Sequence, residues 1–307
     1  MHDSQARAAT LIVNPAAGRG QSLTSLLPAI QAQFSQYGFV TEVLLTTREP
    51  DSVRLLAAEA SLRSHLVVAC GGDGTVHHVV QGVAGTNATL GVLPLGTANA
   101  LARNLKLPLD PVAAVPVLLS YAPRRIPIGV LTTSAKRRFF TVMAGCGPDG
   151  ALALGAHGRS KSRLGRSAYY AHAAWLFATR RWPEFQVRYR RRGEDGWETA
   201  RAVGMMASRV SDLGGIFSRL TAQARPEDST LHVQLLHAPA HVSLPAWFLH
   251  SRLGTGSRYW TTVDVEELEC SALDDEMVHA QVDAEPIGGL PLALRVAPDV
   301  LSLLMPG

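Results

Sequence analysis

Residues 67–80, VVACGGDGTVHHVV, set three glycines, one aspartate and one threonine between two apolar runs. The first run has the continuous apolar character of a buried strand. The second places Val76, Val79, Val80 and Val83 on one face at helical spacing. Residues 71–75 therefore join a strand to a helix at the carboxyl edge of a sheet, where open α/β folds take up ligands. Glycines there permit positive φ and a close approach to the backbone, and a helix N-terminus favours negative charge. Asp73, set in a turn built for anions, repels a phosphate unless Mg²⁺ lies between them. The stretch reads as a metal–nucleotide site.

Outward from this turn, strand-like runs alternate with amphipathic stretches up to about residue 124: TLIVN, 22–36, FVTEVLLT, 51–63, LVVAC, 75–83, LGVLP and 99–105. That alternation predicts a doubly wound α/β domain with a parallel sheet covered on both faces. From residue 125 the pattern changes. RRIPIGVLTT and KRRFFTVMAG read as a hairpin, and EFQVRYR alternates apolar with polar side chains, as half-exposed antiparallel strands do. The expectation is a second domain over 125–298, mostly an antiparallel β-sandwich. Two helical stretches interrupt it, LGRSAYYAHAAWLFATR and PAWFLHSRL.

Composition bounds the partners. The chain has 307 residues, enough for two cores, and is 47% hydrophobic and 18% charged, which fits a folded globular protein. A net charge of +4 suits anionic substrates or an anionic membrane surface without calling for nucleic acid. Cys70, Cys146 and Cys270 are odd in number and lack metal-ligand spacing, which favours a reducing cytoplasm over a disulfide framework. No run approaches the roughly 20 apolar residues that span a bilayer, so membranes are expected to be met peripherally.

Two other strand ends carry comparable turns, LIVNPAAGRG and VLPLGTANALARNL. One glycine-rich strand-to-helix turn is as often a tight connection as a site, but three on one sheet edge make a site the better reading. NPAAGRG, GGDGT and PLGTANALAR, in this order, resemble the catalytic domain of the diacylglycerol kinase family, which includes bacterial lipid kinases and sphingosine kinases. FFTVMAGCGPDG, LGRSAYYAHAAWLF and QVDAEPI extend the resemblance over nearly the whole chain. It implies transfer of the γ-phosphoryl of ATP to a lipid hydroxyl, nucleotide between the two domains, an acceptor lipid held mainly by the β domain, and a role in phospholipid metabolism. It also implies that DVLSLLMPG, residues 299–307, rejoins the first domain of residues 1–124. A homodimer is compatible with it.

By position, the resemblance puts Asn14, the AAGRG turn with Gly18, and Thr46 beside the nucleotide. Gly71, Gly72, Gly74 and Thr75 cradle phosphates, and Gly96, Thr97 and Asn99 complete the pocket. Asp73 serves a catalytic Mg²⁺, and Glu285 is the general base that takes the acceptor's proton. A second, structural Mg²⁺ of bacterial members maps to Asp228 with the carbonyls of Arg225 and Thr230, although Ser229 replaces the family's glycine.

The chain departs from the family at several places. His78 stands where a glutamate would form a capping box with Thr75, and His77 and His78 read as surface histidines. Ala284 replaces a glycine, which is tolerable at negative φ and costly at positive φ. Asp283 reads as an orienting neighbour of Glu285. In AGCGPDG, Pro148 and Gly150 are unusual, and Asp149 either serves the acceptor or bonds a turn.

Arg188 and Arg190 in RYRRRGEDG read as a solvated strand face. The basic stretch with Arg159, Lys161, Arg163 and Arg166 is a candidate for anionic headgroups, and Trp247, Phe248 and Leu249 near Arg252 could dock at an interface. Two alternatives stay open. One is an NAD kinase-like enzyme with a soluble substrate, which shares the GGDGT turn. The other is a lipid-binding regulator of weak activity, favoured by His78 and Ala284. The acceptor lipid is not readable.

Overall fold

The computed structural model describes residues 7–17, 23–47, 49–157, 181–214, 223–237, 249 and 259–307. Gly18, the basic stretch around Arg163 and the first helix expected to interrupt the second domain lie outside the described residues, as does all of the second such helix, Trp247, Phe248 and Arg252 included, apart from the exposed Leu249. The chain divides into two units. The first comprises Met1–Ile128, Asp212–Ile216 and Pro298–Gly307, and the second Gly129–Ser211 and Phe217–Ala297.

In the first unit β1 (Arg7–Val13), α1 (Leu23–Gln36), β2 (Phe39–Leu45), α2 (Pro50–Arg63), β3 (Leu66–Gly71), α3 (Asp73–Val83) and β4 (Thr89–Pro94) alternate as the sequence predicts. They are followed by α4 (Ala100–Asn104) and α5 (Pro111–Leu119). The strands lie in the order β4-β3-β1-β2, all parallel. Every residue of β3 is buried, which explains its unbroken apolar run. α2 packs on α3 and α1 on α5. Gly82 lets the first pair close, since a Cβ there would lie 2.4 Å from the Arg54 carbonyl oxygen.

The second unit is antiparallel and β-rich. β5 (Ala122–Thr133) enters it and pairs with β6 (Arg137–Phe140); β7 (Met143–Cys146) and α6 (Pro148–His157) follow. Next come β8 (Phe185–Arg191), β9 (Trp197–Ala202), β10 (Gly204–Ser208), β11 (Leu231–Leu236), β12 (Trp260–Ala272), β13 (His279–Val282) and β14 (Glu285–Gly289). Their order is β14-β13-β7-β10-β11-β12, with β8 on β12 and β9 on β8. Phe140, Phe185, Val187, Leu231, Val233 and Leu268 are among the side chains of its core.

β15 (Leu292–Met305) serves both units. Leu292–Arg295 pairs antiparallel with β12, and Ser302 and Leu303 pair parallel with β4. Leu301, Leu303, Leu304 and Met305 are buried.

The expected hairpin differs in one respect. KRRFFTVMAG forms two strands, because the chain breaks at Thr141 and Val142, whose amides, with that of Met143, donate to the Asp283 carboxylate. Arg188 faces solvent and pairs with Glu269, while Arg190 pairs with Glu266 and Glu267.

Candidate functional site

The ends of the first unit's strands are stitched together along the carboxyl edge. The Asn14 amide donates to the Cys70 carbonyl (3.0 Å), Thr46 to Val13 (2.8 Å) and Leu95 to Gly71 (2.9 Å). Asn14 Nδ2 donates to Thr75 Oγ1 (3.2 Å), and Asn14 Oδ1 accepts the Ala16 amide (3.0 Å). The first glycine turn is therefore tied to the second through one asparagine.

The second and third turns interlock. Gly72 and Gly96 approach so closely that a Cβ on Gly96 would lie 2.4 Å from the Gly72 Cα, and only glycine fits there. Asn99, at φ 51° and ψ 48°, is the N-cap of α4. Its Oδ1 accepts the Gly96 amide (2.8 Å) and its Nδ2 donates to the Gly96 carbonyl (2.9 Å), a local closure that makes the left-handed conformation tolerable for asparagine. Asp73 bridges the two motifs: its Oδ2 accepts the Asn99 amide (2.9 Å) and its Oδ1 the Ala100 amide (2.6 Å). A carboxylate that accepts two amides at a helix start supports the N-terminus of α4. Asp73 has a structural task here that its reading as a metal residue alone does not contain.

α3 starts at Asp73, with Gly72 as N-cap. Thr75 is inside its first turn rather than a cap, so the capping-box comparison at His78 does not apply. The amides of Gly74 and Thr75 have no intrahelical acceptor by helix geometry and lie beside the interlocked turns. Gly71 is buried against the Thr75 side chain, where a Cβ would lie 2.3 Å from Oγ1. Thr97 is exposed on the third turn. His77 is 2% exposed, a correction to its reading as a surface residue, and its ring meets His78 edge-on at 5.1 Å.

Sequence reasoning passed over residues that support this edge. Asn104 donates to the Asp212 carbonyl (2.8 Å) and accepts its amide (3.1 Å), and the Gly214 amide donates to Asp212 Oδ1 (2.8 Å). Gly214, at φ 84°, lies against Ala98. The paired glycines of SDLGG were the available signal.

In the second unit Glu285 opens β14, half-buried, directly after a two-residue hairpin loop in which Val282 pairs with Glu285. Asp283 (φ 47°) and Ala284 (φ 69°) both sit in the left-handed region, the pattern of a type I′ turn. The methyl group at position 284 is thus at the costly sign of φ. Asp283, 4% exposed, accepts the amides of Thr141 (3.2 Å), Val142 (3.0 Å) and Met143 (3.0 Å), which pins the turn to the end of β6 and the start of β7. The Gln281 side chain pins the other side. Its Oε1 accepts the Ala284 amide (2.7 Å) and its Nε2 donates to Asp149 Oδ2. Burial pushes the Asp149 carboxyl up to about 6, against the opposing effect of the Gln281 bond.

The residues expected to hold a second metal do not fit one. Arg209, 1% exposed, fills that loop: Nη1 donates to the carbonyls of Asp228 (2.6 Å) and Thr230 (2.7 Å), and Nη2 donates to that of Pro226 (2.7 Å). Asp228 Oδ2 accepts the Arg225 amide (2.7 Å), and the Arg225 carbonyl accepts the Asp228 amide (3.1 Å). The carbonyl of Thr230 already faces a cation, and a divalent ion on it would meet the guanidinium's charge. Burial brings the Arg209 guanidinium down to about 10, so it is charged near neutrality. Among the described residues no three His, Cys, Asp or Glu side chains gather as a metal-ligand group.

Residues 8–131 match the family described as diacylglycerol kinase catalytic domain. The chain is 30% identical to the Bacillus subtilis diacylglycerol kinase over 232 residues, 74% of this chain and 73% of that one. It is 30% identical to a Pseudomonas putida protein named as a probable YegS-like lipid kinase, over 88% of this chain and 86% of the other. A crystal structure of a diacylglycerol kinase from Bacillus anthracis superposes with a TM-score of 0.71 at 19% identity, covering 98% and 97% of the two chains. Yeast NADH kinase shares the fold more distantly, with a TM-score of 0.54 at 11% identity over 99% and 84%.

Proposed function

This chain belongs to the diacylglycerol kinase catalytic-domain family, and from that premise we propose that it is a lipid kinase that moves the γ-phosphoryl group of ATP to a lipid hydroxyl. The observation that carries the reading is the interlock of residues 71–75 with residues 94–100. It presents the start of α3 at the sheet's carboxyl edge, with Asn14 and Thr46 on the neighbouring strand ends. Phosphoryl transfer asks mainly for positioning and for charge stabilisation, and a rigid glycine cradle supplies the first.

The donor set fits Mg²⁺ delivered with the nucleotide. A single half-buried carboxylate, Asp73, is what such a site offers an ion that takes its other ligands from phosphates and water. When bound, Mg²⁺ neutralises charge on the transferring group. The chain's own contribution is to hold the phosphates on the α3 amides and to take the acceptor's proton on Glu285. The acceptor oxygen then bonds to the γ-phosphorus as the bond to the ADP oxygen breaks. Action on a lipid at the cytoplasmic membrane surface follows from this reading, in a chain of which no described helix is long and apolar enough to cross a membrane.

The test is incubation with γ-labelled ATP, Mg²⁺ and mixed micelles of diacylglycerol, phosphatidylglycerol or a sphingoid base, beside Glu285→Ala. A labelled lipid that disappears in the variant names the acceptor and supports Glu285 as base. ATP binding without any labelled lipid sinks the lipid-kinase reading in favour of a soluble acceptor or a regulator.

A further inference from the structure

Glu285 is placed by a turn that the local backbone does not favour. Both central residues are left-handed, and neither is glycine. Asp283 holds one flank of the turn through three amides. On the other flank stands Gln281, which is 1% exposed and touches both the Ala284 amide and the Asp149 carboxylate.

Asp149 is itself positioned by an arrangement peculiar to this segment. It lies in the first turn of α6, against β7 and β13. A Cβ on Gly145 would lie 2.2 Å from Asp149 Oδ2, so the glycine on β7 makes room for the carboxylate. A Cβ on Gly150 would lie 2.1 Å from the His279 carbonyl oxygen, so the second glycine lets the helix start press onto β13. The Gly147 amide closes the same contact by donating to the His279 carbonyl (3.0 Å). The unusual AGCGPDG segment thus has one geometric outcome: a carboxylate fixed where it can orient the amide group of Gln281.

That orientation matters because a glutamine carboxamide has two distinct ends. With Nε2 held by Asp149, only Oε1 is left to accept the Ala284 amide one residue before Glu285. We propose that Asp149 and Gln281 are positioning residues for Glu285. They form a relay that fixes the strained turn and with it the direction of the base. The proposal rests on the assignment of Glu285 as the base made above, and it adds two residues that no contact with substrate would reveal.

The test uses the full chain and four proteins: wild type, Gln281→Glu, Asp149→Asn and the double variant. Gln281→Glu keeps an acceptor for the Ala284 amide but sets a second carboxyl against Asp149. In the double variant the carboxamide introduced at position 149 donates to the carboxylate introduced at position 281, and the relay is rebuilt with its polarity reversed. The readouts are kcat and KM for both substrates, and the thermal midpoint of each protein. Gln281→Glu is expected to lose roughly tenfold or more in kcat with both KM values within about twofold, as a displaced base does. The double variant is expected to recover most of that loss. A wild-type kcat in Gln281→Glu, or no recovery in the double variant, overturns the proposal. So does a loss that tracks the thermal midpoint alone. If Gln281→Glu does not fold, failure of the double variant to restore both folding and kcat overturns it as well. Failure of the underlying reading looks different: Glu285→Ala then retains wild-type kcat whatever happens at position 281.

Discussion

At the scale of the residue, Ala284 stores a cost that its neighbours sustain. Left-handed backbone costs a non-glycine residue roughly 1–2 kcal/mol, and Ala284 sits at φ 69°. Ala284→Gly is expected to stabilise the protein by about 1 kcal/mol, read as a rise of a few degrees in thermal midpoint. Asp149 gives a pH signature. Its folded carboxyl is pushed to about 6 from an ordinary value of 3.8. Between these values the folded state keeps a proton that the unfolded state has lost, so stability falls as pH rises from about 4 to 6. Asp149→Asn removes that slope, and thermal midpoints across this window, variant against wild type, check it. Asp73 accepts two amides, and the proposed function gives it a second task beside the phosphates. Asp73→Asn offers an amide group to two backbone donors that need acceptors, and it should lower stability by about 1–3 kcal/mol as well as abolish transfer. Unfolding in denaturant separates the two losses.

At the scale of the element, what was legible in the sequence is what local pattern dictates. The apolar runs of β1, β3 and β4, the valine face of α3 and the alternation of β8 all follow from periodicity. What was not legible comes from contacts distant in sequence. The break between β6 and β7 is caused by Asp283, some 140 residues on. The burial of His77 depends on what α3 packs against rather than on its own sequence. The loop read as a metal site is filled by Arg209, a side chain from a different stretch that no spacing rule within the loop could nominate. That loop supplies its own test. In the absence of nucleotide, EDTA and millimolar Mg²⁺ should give the same thermal midpoint, whereas Arg209→Met, which strands three carbonyls, should lose about 3 kcal/mol or more. A rise of several degrees with Mg²⁺ in the wild type would restore the metal to the loop.

At the scale of the whole molecule, two units share one chain that passes between them more than once. The first unit takes in Asp212–Ile216 and Pro298–Gly307 besides its N-terminal run. The meeting of its three turns was legible because short motifs at the ends of parallel strands converge on one sheet edge. The supports at Asp212 and Gly214 were not, because they arrive from beyond β10. β15 has a further consequence during synthesis. The other strands of the first unit's parallel sheet are complete once Pro94 has been made, yet β4 waits for Ser302 and Leu303 to cover its edge. At roughly 5–20 residues per second, the intervening stretch of about 200 residues takes on the order of 10–40 s to translate. Throughout that interval the ribosome carries a half-finished sheet with an open, apolar margin, the kind of surface that recruits chaperones and invites pairing with a neighbouring nascent chain.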